Sequence, residues 1–132
     1  MKVGVDIRLV IGEISFEGRL YDTAPAKALA NLLPATLHMT RWGGEYFGPM
    51  LPPLGEFPED DLVEILEPGA LAYWEPGEAL CLFFGPTPAS EGGEIRAASP
   101  VHPVGRVNGD LGALFGLGNT VTAKIAALED DS

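Results

Sequence analysis

The chain has 132 residues, a length that predicts one domain with a single hydrophobic core. Hydrophobic residues make up 46% of it, which excludes wholesale disorder. Its formal net charge of -11 repels phosphate backbones and anionic lipid, so neither nucleic acid nor a membrane is expected as a partner.

The first predicted elements are two strands joined by a tight turn. Apolar residues alternate with mostly polar ones on both sides of Gly12 and Glu13, which is the periodicity of a strand. A glycine-first pair suits a type II′ hairpin turn. This turn pairs Ile11 with Ile14 and places the apolar residues of both strands on one face.

A short helix is predicted next, with Thr23 as its N-cap, Pro25 in its first turn and Pro34 just after its end. Residues 36–42 are then predicted to form a strand. Residues 43–58 are rich in glycine and proline but contain apolar anchors, which predicts a long ordered loop or a bulged strand. Such loops often carry function.

The second half of the chain is predicted to contain mostly strands. Residues 70–74 and 79–84 are apolar enough for two buried strands, and Pro76 followed by Gly77 is typical of a type II turn between them. Many short strands with few helices predict a mainly β domain over residues 1–128, either a barrel or a sandwich. The other predicted elements are a loop (85–98), a strand (101–107), a short helix (110–115), a final strand (120–127) and an acidic tail (129–132).

The sequence offers no metal or nucleophile motif. Cys81, His38 and His102 are scattered without a zinc-like spacing, so no metal and no cofactor is expected. The single cysteine permits no internal disulfide, which suits a reducing compartment. Asp6 and Arg8 interrupt what would be the apolar core of a signal peptide, so a soluble cytoplasmic protein is expected.

Residues 68–88 resemble a prokaryotic group of small uncharacterised cyclophilin-like proteins. Those proteins carry a tryptophan-proline-glycine hairpin followed by a Leu-Phe-Phe-Gly strand, as residues 74–77 and 82–85 do here. Residues 42–47 and 104–107 also fit the group, so the likeness covers most of the chain. The resemblance implies a closed cyclophilin-like β-barrel with one or two short helices.

The order of elements is also similar, more distantly, to that of true cyclophilins, which are prolyl isomerases. Those carry an arginine with a phenylalanine five residues later and a methionine six residues later, a spacing held here by Arg41, Tyr46 and Phe47. Their glutamine is replaced by Pro49, and their pocket histidine falls nearest His102, one position out of alignment. The resemblance implies Arg41 as the catalytic residue, and as ligand-binding residues Tyr46, Phe47, Trp74, Phe84 and His102.

Arg41 has two interpretations. A prolyl isomerase must lower a barrier of ~18–20 kcal/mol, and an arginine near the proline nitrogen withdraws its lone pair from resonance without being titrated itself. Alternatively, Arg41 shares strand parity with Leu37 and Met39 and lies at a sheet edge with its stem packed. The aromatic residues likewise either line a cleft or fill the core.

Three functions follow from these alternatives. The first is a binding module with an aromatic cleft of Phe47, Phe84 and Trp74 for a small apolar molecule or a proline-containing peptide. The second is a weak peptidyl-prolyl cis-trans isomerase that uses the arginine described above. The third is a structural or subunit role, which an exposed apolar patch over Trp42 and Tyr73 would favour.

Overall fold

The computed structural model describes residues 4–128, and the acidic tail predicted at 129–132 lies outside them. Strands dominate this part of the chain, as predicted. They are β1 (Val5–Ile11), β2 (Ile14–Leu20), β3 (Ala35–Trp42), β4 (Glu45–Pro49), β5 (Val63–Leu66), β6 (Ala70–Trp74), β7 (Ala79–Phe83), β8 (Ile95–Asn108) and β9 (Thr120–Ala127). The helical elements are α1 (Ala24–Ala30) and the 3₁₀ turns Glu59–Asp61, Glu75–Gly77 and Leu111–Gly116.

Eight of the strands form a closed ring. Their order is β2-β1-β9-β3-β4-β7-β6-β8, and β8 pairs back with β2, where Arg106 lies opposite Arg19. β5 lies outside the ring and pairs with the N-terminal half of β8. The predicted fold, a mainly β closed barrel with one or two short helices, is therefore confirmed.

The N-terminal hairpin and the helix cap agree with the prediction. Ile11 lies opposite Ile14, and Gly12 between them has a φ of 60°, a left-handed conformation that suits glycine in a hairpin turn. The backbone N–H of Ala26 donates to Oγ1 of Thr23 at 3.4 Å, so Thr23 caps α1.

Residues 43–58 were predicted as a long ordered loop or a bulged strand, and they contain both loop and strand, because β4 occupies part of them. β4 pairs with β3 on one side and with β7 on the other. Pro49 stands at its last position, where the missing N–H interrupts no ladder. The glycine and proline content of the segment therefore marks the ends of a strand as well as a loop.

The elements after β4 also differ from the prediction in two places. β8 begins at Ile95, so part of the predicted loop 85–98 is strand, and a register shift in its pairing with β6 accommodates Pro103. The connection between β6 and β7 is a 3₁₀ turn that ends at Glu78 with a φ of 52°, so Glu78 rather than Gly77 adopts the left-handed conformation.

The barrel wall around β7 is buried on both faces. Leu80 and Leu82 face the barrel interior, whereas Cys81 and Phe83 face outward into a second apolar cluster. β5 and the N-terminal half of β8 supply the other side of this outer cluster. Within residues 4–128, no helix combines the length and the apolar character that crossing a membrane requires.

Candidate functional site

Tyr46 and Phe47 are neighbours on β4, so their side chains point to opposite faces of the sheet. Tyr46 is fully buried in the barrel interior, where its ring stacks on Phe84 with the centroids 5.5 Å apart. Phe47 is half-buried and packs in the outer cluster with Trp74. The prediction of one cleft shared by Phe47 and Phe84 is therefore wrong, because alternation along the strands separates the two rings.

Arg41 lies on the same face of the sheet as Phe84, at one end of the barrel. Its guanidinium carbon is 5.7 Å from the centroid of the Phe84 ring and 5.1 Å from that of Phe115. Nε donates to the carbonyl of Gly43 at 2.8 Å, and Nη1 donates to the carbonyl of Phe115 at 3.2 Å. Arg41 therefore ties β3 to the 3₁₀ turn Leu111–Gly116 through backbone carbonyls.

The rings beside Arg41 pack closely on one another. The Tyr46 hydroxyl donates to the carbonyl of Gly118, and Phe84 is almost fully buried. Phe115 packs edge-on against Phe84 with the centroids 4.8 Å apart, and it is 46% exposed. Phe115 therefore packs over part of Phe84 and contributes to its burial.

His102 lies in a separate cluster. Its ring is 2% exposed, with Nδ1 2.8 Å from Oδ1 of Asp61 and Nε2 3.3 Å from Oε1 of Glu75. Phe57 packs edge-on against the imidazole with the centroids 5.7 Å apart. His102 thus joins two 3₁₀ turns to β8 and does not line a cleft with the other predicted residues. Within residues 4–128, no cluster of three histidine, cysteine or acidic side chains is arranged to hold a metal ion.

A pocket on the outer face of the barrel, here called the outer pocket, brings Phe47 and Trp74 together. Its volume is about 150 Å³, the size of an engineered apolar cavity that holds benzene. The indole N–H of Trp74 donates to Oγ of Ser99 at 2.6 Å, which satisfies its polar group. The pocket is lined by Trp42, Glu45, Phe47, Trp74, Cys81, Ala97, Ala98 and Val101.

Glu45 is the one acidic residue in this wall. Its side chain is 6% exposed, and Oε1 is buried without a hydrogen-bond partner among the described residues. Burial raises the pKa of Glu45 from its ordinary 4.5 to about 7, although a hydrogen bond from the Cys81 thiol lowers it. An acid that ionises near neutral pH inside an apolar pocket is a common feature of functional sites.

Glu45 was not predicted as a site residue, and Trp42 was predicted only as part of an exposed apolar patch. Both residues lie in the segment that was assigned to a strand end and a loop, where a glutamate suggests a solvated residue. The signal that identifies Glu45 is parity, because it shares one face of β4 with Phe47.

Tyr73 is fully buried and Trp42 is half-buried, so these two residues form no exposed apolar patch.

The fold and the pocket define a class of protein, a small closed β-barrel with an aromatic pocket on its outer wall. The family model described as Cyclophilin-like matches residues 5–125. The chain belongs to this cyclophilin-like family.

A solved structure of similar fold agrees with this membership. The chain is similar to the hypothetical protein AF2241 from Archaeoglobus fulgidus, whose solution structure superposes with a TM-score of 0.77 at 29% sequence identity. The alignment covers 97% of this chain and 98% of that chain. A search of curated proteins gave no match.

Proposed function

We propose that this chain is a binding module that accepts a small apolar molecule, or the proline ring of a peptide, in the outer pocket. The observation that carries the proposal is the pocket itself, a cavity of about 150 Å³ with a mostly aromatic and aliphatic wall. Concave apolar sites with few polar groups are the usual form of small-ligand sites. A benzene ring fits a cavity of this size, and a pyrrolidine ring is smaller still.

The wall of the pocket is built on regular strands, which favours binding without rearrangement. Phe47 lies opposite Cys81 in the ladder between β4 and β7. Trp74 is the last residue of β6, and its indole N–H donates to Oγ of Ser99 on β8. Side chains that are already ordered lose little conformational entropy when a ligand enters.

The proposal is tested by tryptophan fluorescence. Both tryptophans of the chain line the outer pocket, so their emission reports on its occupancy. Toluene and a short proline-containing peptide serve as probes, and at least one of them is expected to change the emission saturably. Ala98→Phe fills the exposed rim of the pocket and is expected to abolish this change.

The matched control is Ala126→Phe, which places the same ring on an exposed position of β9 outside the pocket. It is expected to leave the titration unchanged. If neither probe gives a saturable change, the binding-module proposal is contradicted. If the parent chain and Ala98→Phe bind equally, the ligand occupies another place and the assignment of the pocket is wrong.

A weak prolyl isomerase is the second candidate. It is favoured by the guanidinium of Arg41 beside Phe84 and the exposed Phe115 at one end of the barrel. The uncatalysed reaction takes on the order of tens to hundreds of seconds, so a protease-coupled peptide assay detects modest catalysis. Arg41→Ala is expected to remove the activity, and Arg8→Ala on the exposed face of β1 is expected to retain it. No activity in the parent chain contradicts this candidate, and full activity in Arg41→Ala contradicts the role of Arg41.

A further inference from the structure

We propose that the outer pocket selects ligands that carry an N–H-bearing ammonium group on a small apolar body, and that the Glu45 carboxylate binds this group. The inference rests on the proposed binding function of the pocket and adds to it the chemical class of the ligand. Glu45 then binds the ammonium group of the ligand, and the aromatic side chains of the wall pack against its apolar body.

The side chain of Glu45 has an oxygen without a hydrogen-bond partner among the described residues. Its Oε1 is buried, and no group among the described residues donates to it. A buried acceptor without a donor loses its hydration and gains nothing in return. Since Glu45 lines the outer pocket, rotation of its carboxyl group would bring an oxygen within reach of a donor on a ligand.

The residues that line the outer pocket include no cation that would compensate the charge of Glu45. The lining residues from β3, β6 and β8 are Trp42, Trp74 and small aliphatic residues, which carry no charge. Cys81 of β7 is the other titratable group in the wall, and it is a thiol. When Glu45 is ionised, the charge that balances it must therefore come from the ligand or from solvent.

Aromatic side chains make up much of the wall around Glu45. Trp42, Phe47 and Trp74 surround the one carboxyl group. Aromatic rings attract cations electrostatically, tryptophan most strongly, and they repel anions. A carboxylate among such rings fits an ammonium group better than a neutral alcohol and excludes a carboxylate ligand. The net charge of -11 also favours a cationic ligand, because it raises the local concentration of cations at the surface.

The ionisation of Glu45 predicts a particular pH dependence. Burial raises the pKa of Glu45 to about 7, so the carboxylate form dominates above that pH in the empty pocket. An ammonium ligand binds this form and lowers the pKa, so binding below pH 7 releases a proton to solvent. Affinity for an amine that stays protonated is therefore expected to rise between pH 5.5 and 8 and then to level off.

The experiment compares three probes that share a benzyl group, by tryptophan fluorescence at pH 8. They are benzylammonium, benzyl alcohol and benzyltrimethylammonium, which offer charge with N–H donors, a neutral donor, and charge without a donor. Benzylammonium is expected to bind at least about tenfold more tightly than either of the others, because hydrogen bonds to charged groups are worth this much. Glu45→Gln is expected to remove the preference, whereas Glu13→Gln in the exposed β1–β2 turn keeps it.

The possible results distinguish a wrong role for Glu45 from a wrong binding function of the outer pocket. If all three probes bind with equal affinity, or if Glu45→Gln keeps the preference, the pocket binds ligands but the role of Glu45 is wrong. If none of the three probes binds while toluene or the proline-containing peptide does, the inference is wrong and the binding function stands. If toluene and the peptide also fail to bind, the binding function itself is wrong. If Glu45→Gln does not fold, the pH series on the parent chain decides, since an affinity for benzylammonium that does not change between pH 5.5 and 8 overturns the inference.

Discussion

Glu45 of β4 and Cys81 of β7 are diagonal neighbours across the β4–β7 ladder, and both line the outer pocket. Burial raises the pKa of Glu45 to about 7. Burial, and then the neighbouring charge of Glu45, raise the pKa of Cys81 well above its ordinary value. Near neutral pH the pocket therefore changes its charge through the carboxyl group, and the thiol stays protonated.

Glu45→Gln is expected to change how stability depends on pH. In the folded protein the pKa of Glu45 is about 7, whereas the unfolded chain ionises it near 4.5. Between these values the folded state holds a proton that the unfolded state has lost, so the free energy of unfolding falls as pH rises. The total fall from this group is roughly 3 kcal/mol. The free energy of unfolding of Glu45→Gln, minus that of the parent chain, should therefore increase from pH 4.5 to 7 and then stay constant.

Urea unfolding at several pH values between 4.5 and 8 measures this difference. Comparison with the parent chain cancels the contributions of the other acidic residues. Glu13→Gln, which changes an exposed glutamate of the first hairpin turn, is the matched control and should run parallel to the parent chain. Parallel curves for Glu45→Gln as well would show that Glu45 has no raised pKa in the folded protein.

Cys81 is expected to resist thiol reagents while the barrel is folded. Its side chain is 2% exposed, and burial raises the pKa of the thiol well above its usual range. The thiolate is the reactive form, so both access and ionisation oppose the reaction. Ellman's reagent at pH 8 should modify the folded chain at least on the order of a hundredfold more slowly than the urea-unfolded chain. Equal rates would mean that Cys81 is exposed in solution.

The ring of strands was predictable because it depends on local patterns. The alternation on both sides of Gly12 sets the β1–β2 register, and the same residues face the core in the structure. Thr23 and Pro25 mark the start of α1 for reasons that act within one helical turn. The family resemblance of residues 68–88 extended these local predictions to a closed barrel, which the pairing of β8 with β2 completes.

The site was predicted less well because it depends on parity and on distant packing. The sequence predicted Phe47 and Trp74 as ligand-binding residues, and both line the outer pocket. It also joined them to Phe84, because spacing alone does not say which face a residue occupies. A one-residue difference along a strand exchanges inside for outside. Glu45 was missed because its burial depends on β8, whose N-terminal half covers the outer cluster and is distant from Glu45 in the sequence.

His102→Ala is expected to loosen the two 3₁₀ turns that this residue joins. The imidazole is buried and contacts both Asp61 and Glu75, so its removal leaves a cavity and eliminates both contacts. We expect a loss of on the order of 2–3 kcal/mol of stability in urea unfolding, with faster hydrogen exchange at Glu59–Asp61. His38→Ala, at an exposed position of β3, is the control and should cost little. Equal effects of the two substitutions would contradict a joining role for His102.

Arg41→Ala is expected to destabilise the barrel whether or not the chain has isomerase activity. The guanidinium donates to the carbonyls of Gly43 and Phe115 and lies within 5.7 Å of the Phe84 ring centroid, so its loss frees one end of the 3₁₀ turn Leu111–Gly116. We expect about 1–2 kcal/mol less stability in urea unfolding. Arg41→Lys should recover only part of it, because an ammonium group lacks the planar fork that reaches two carbonyls at once. Arg8→Ala, which removes an exposed ion pair with Glu17, should cost less than about 1 kcal/mol. A stability of Arg41→Ala equal to that of the parent chain would show that Arg41 does not anchor the turn.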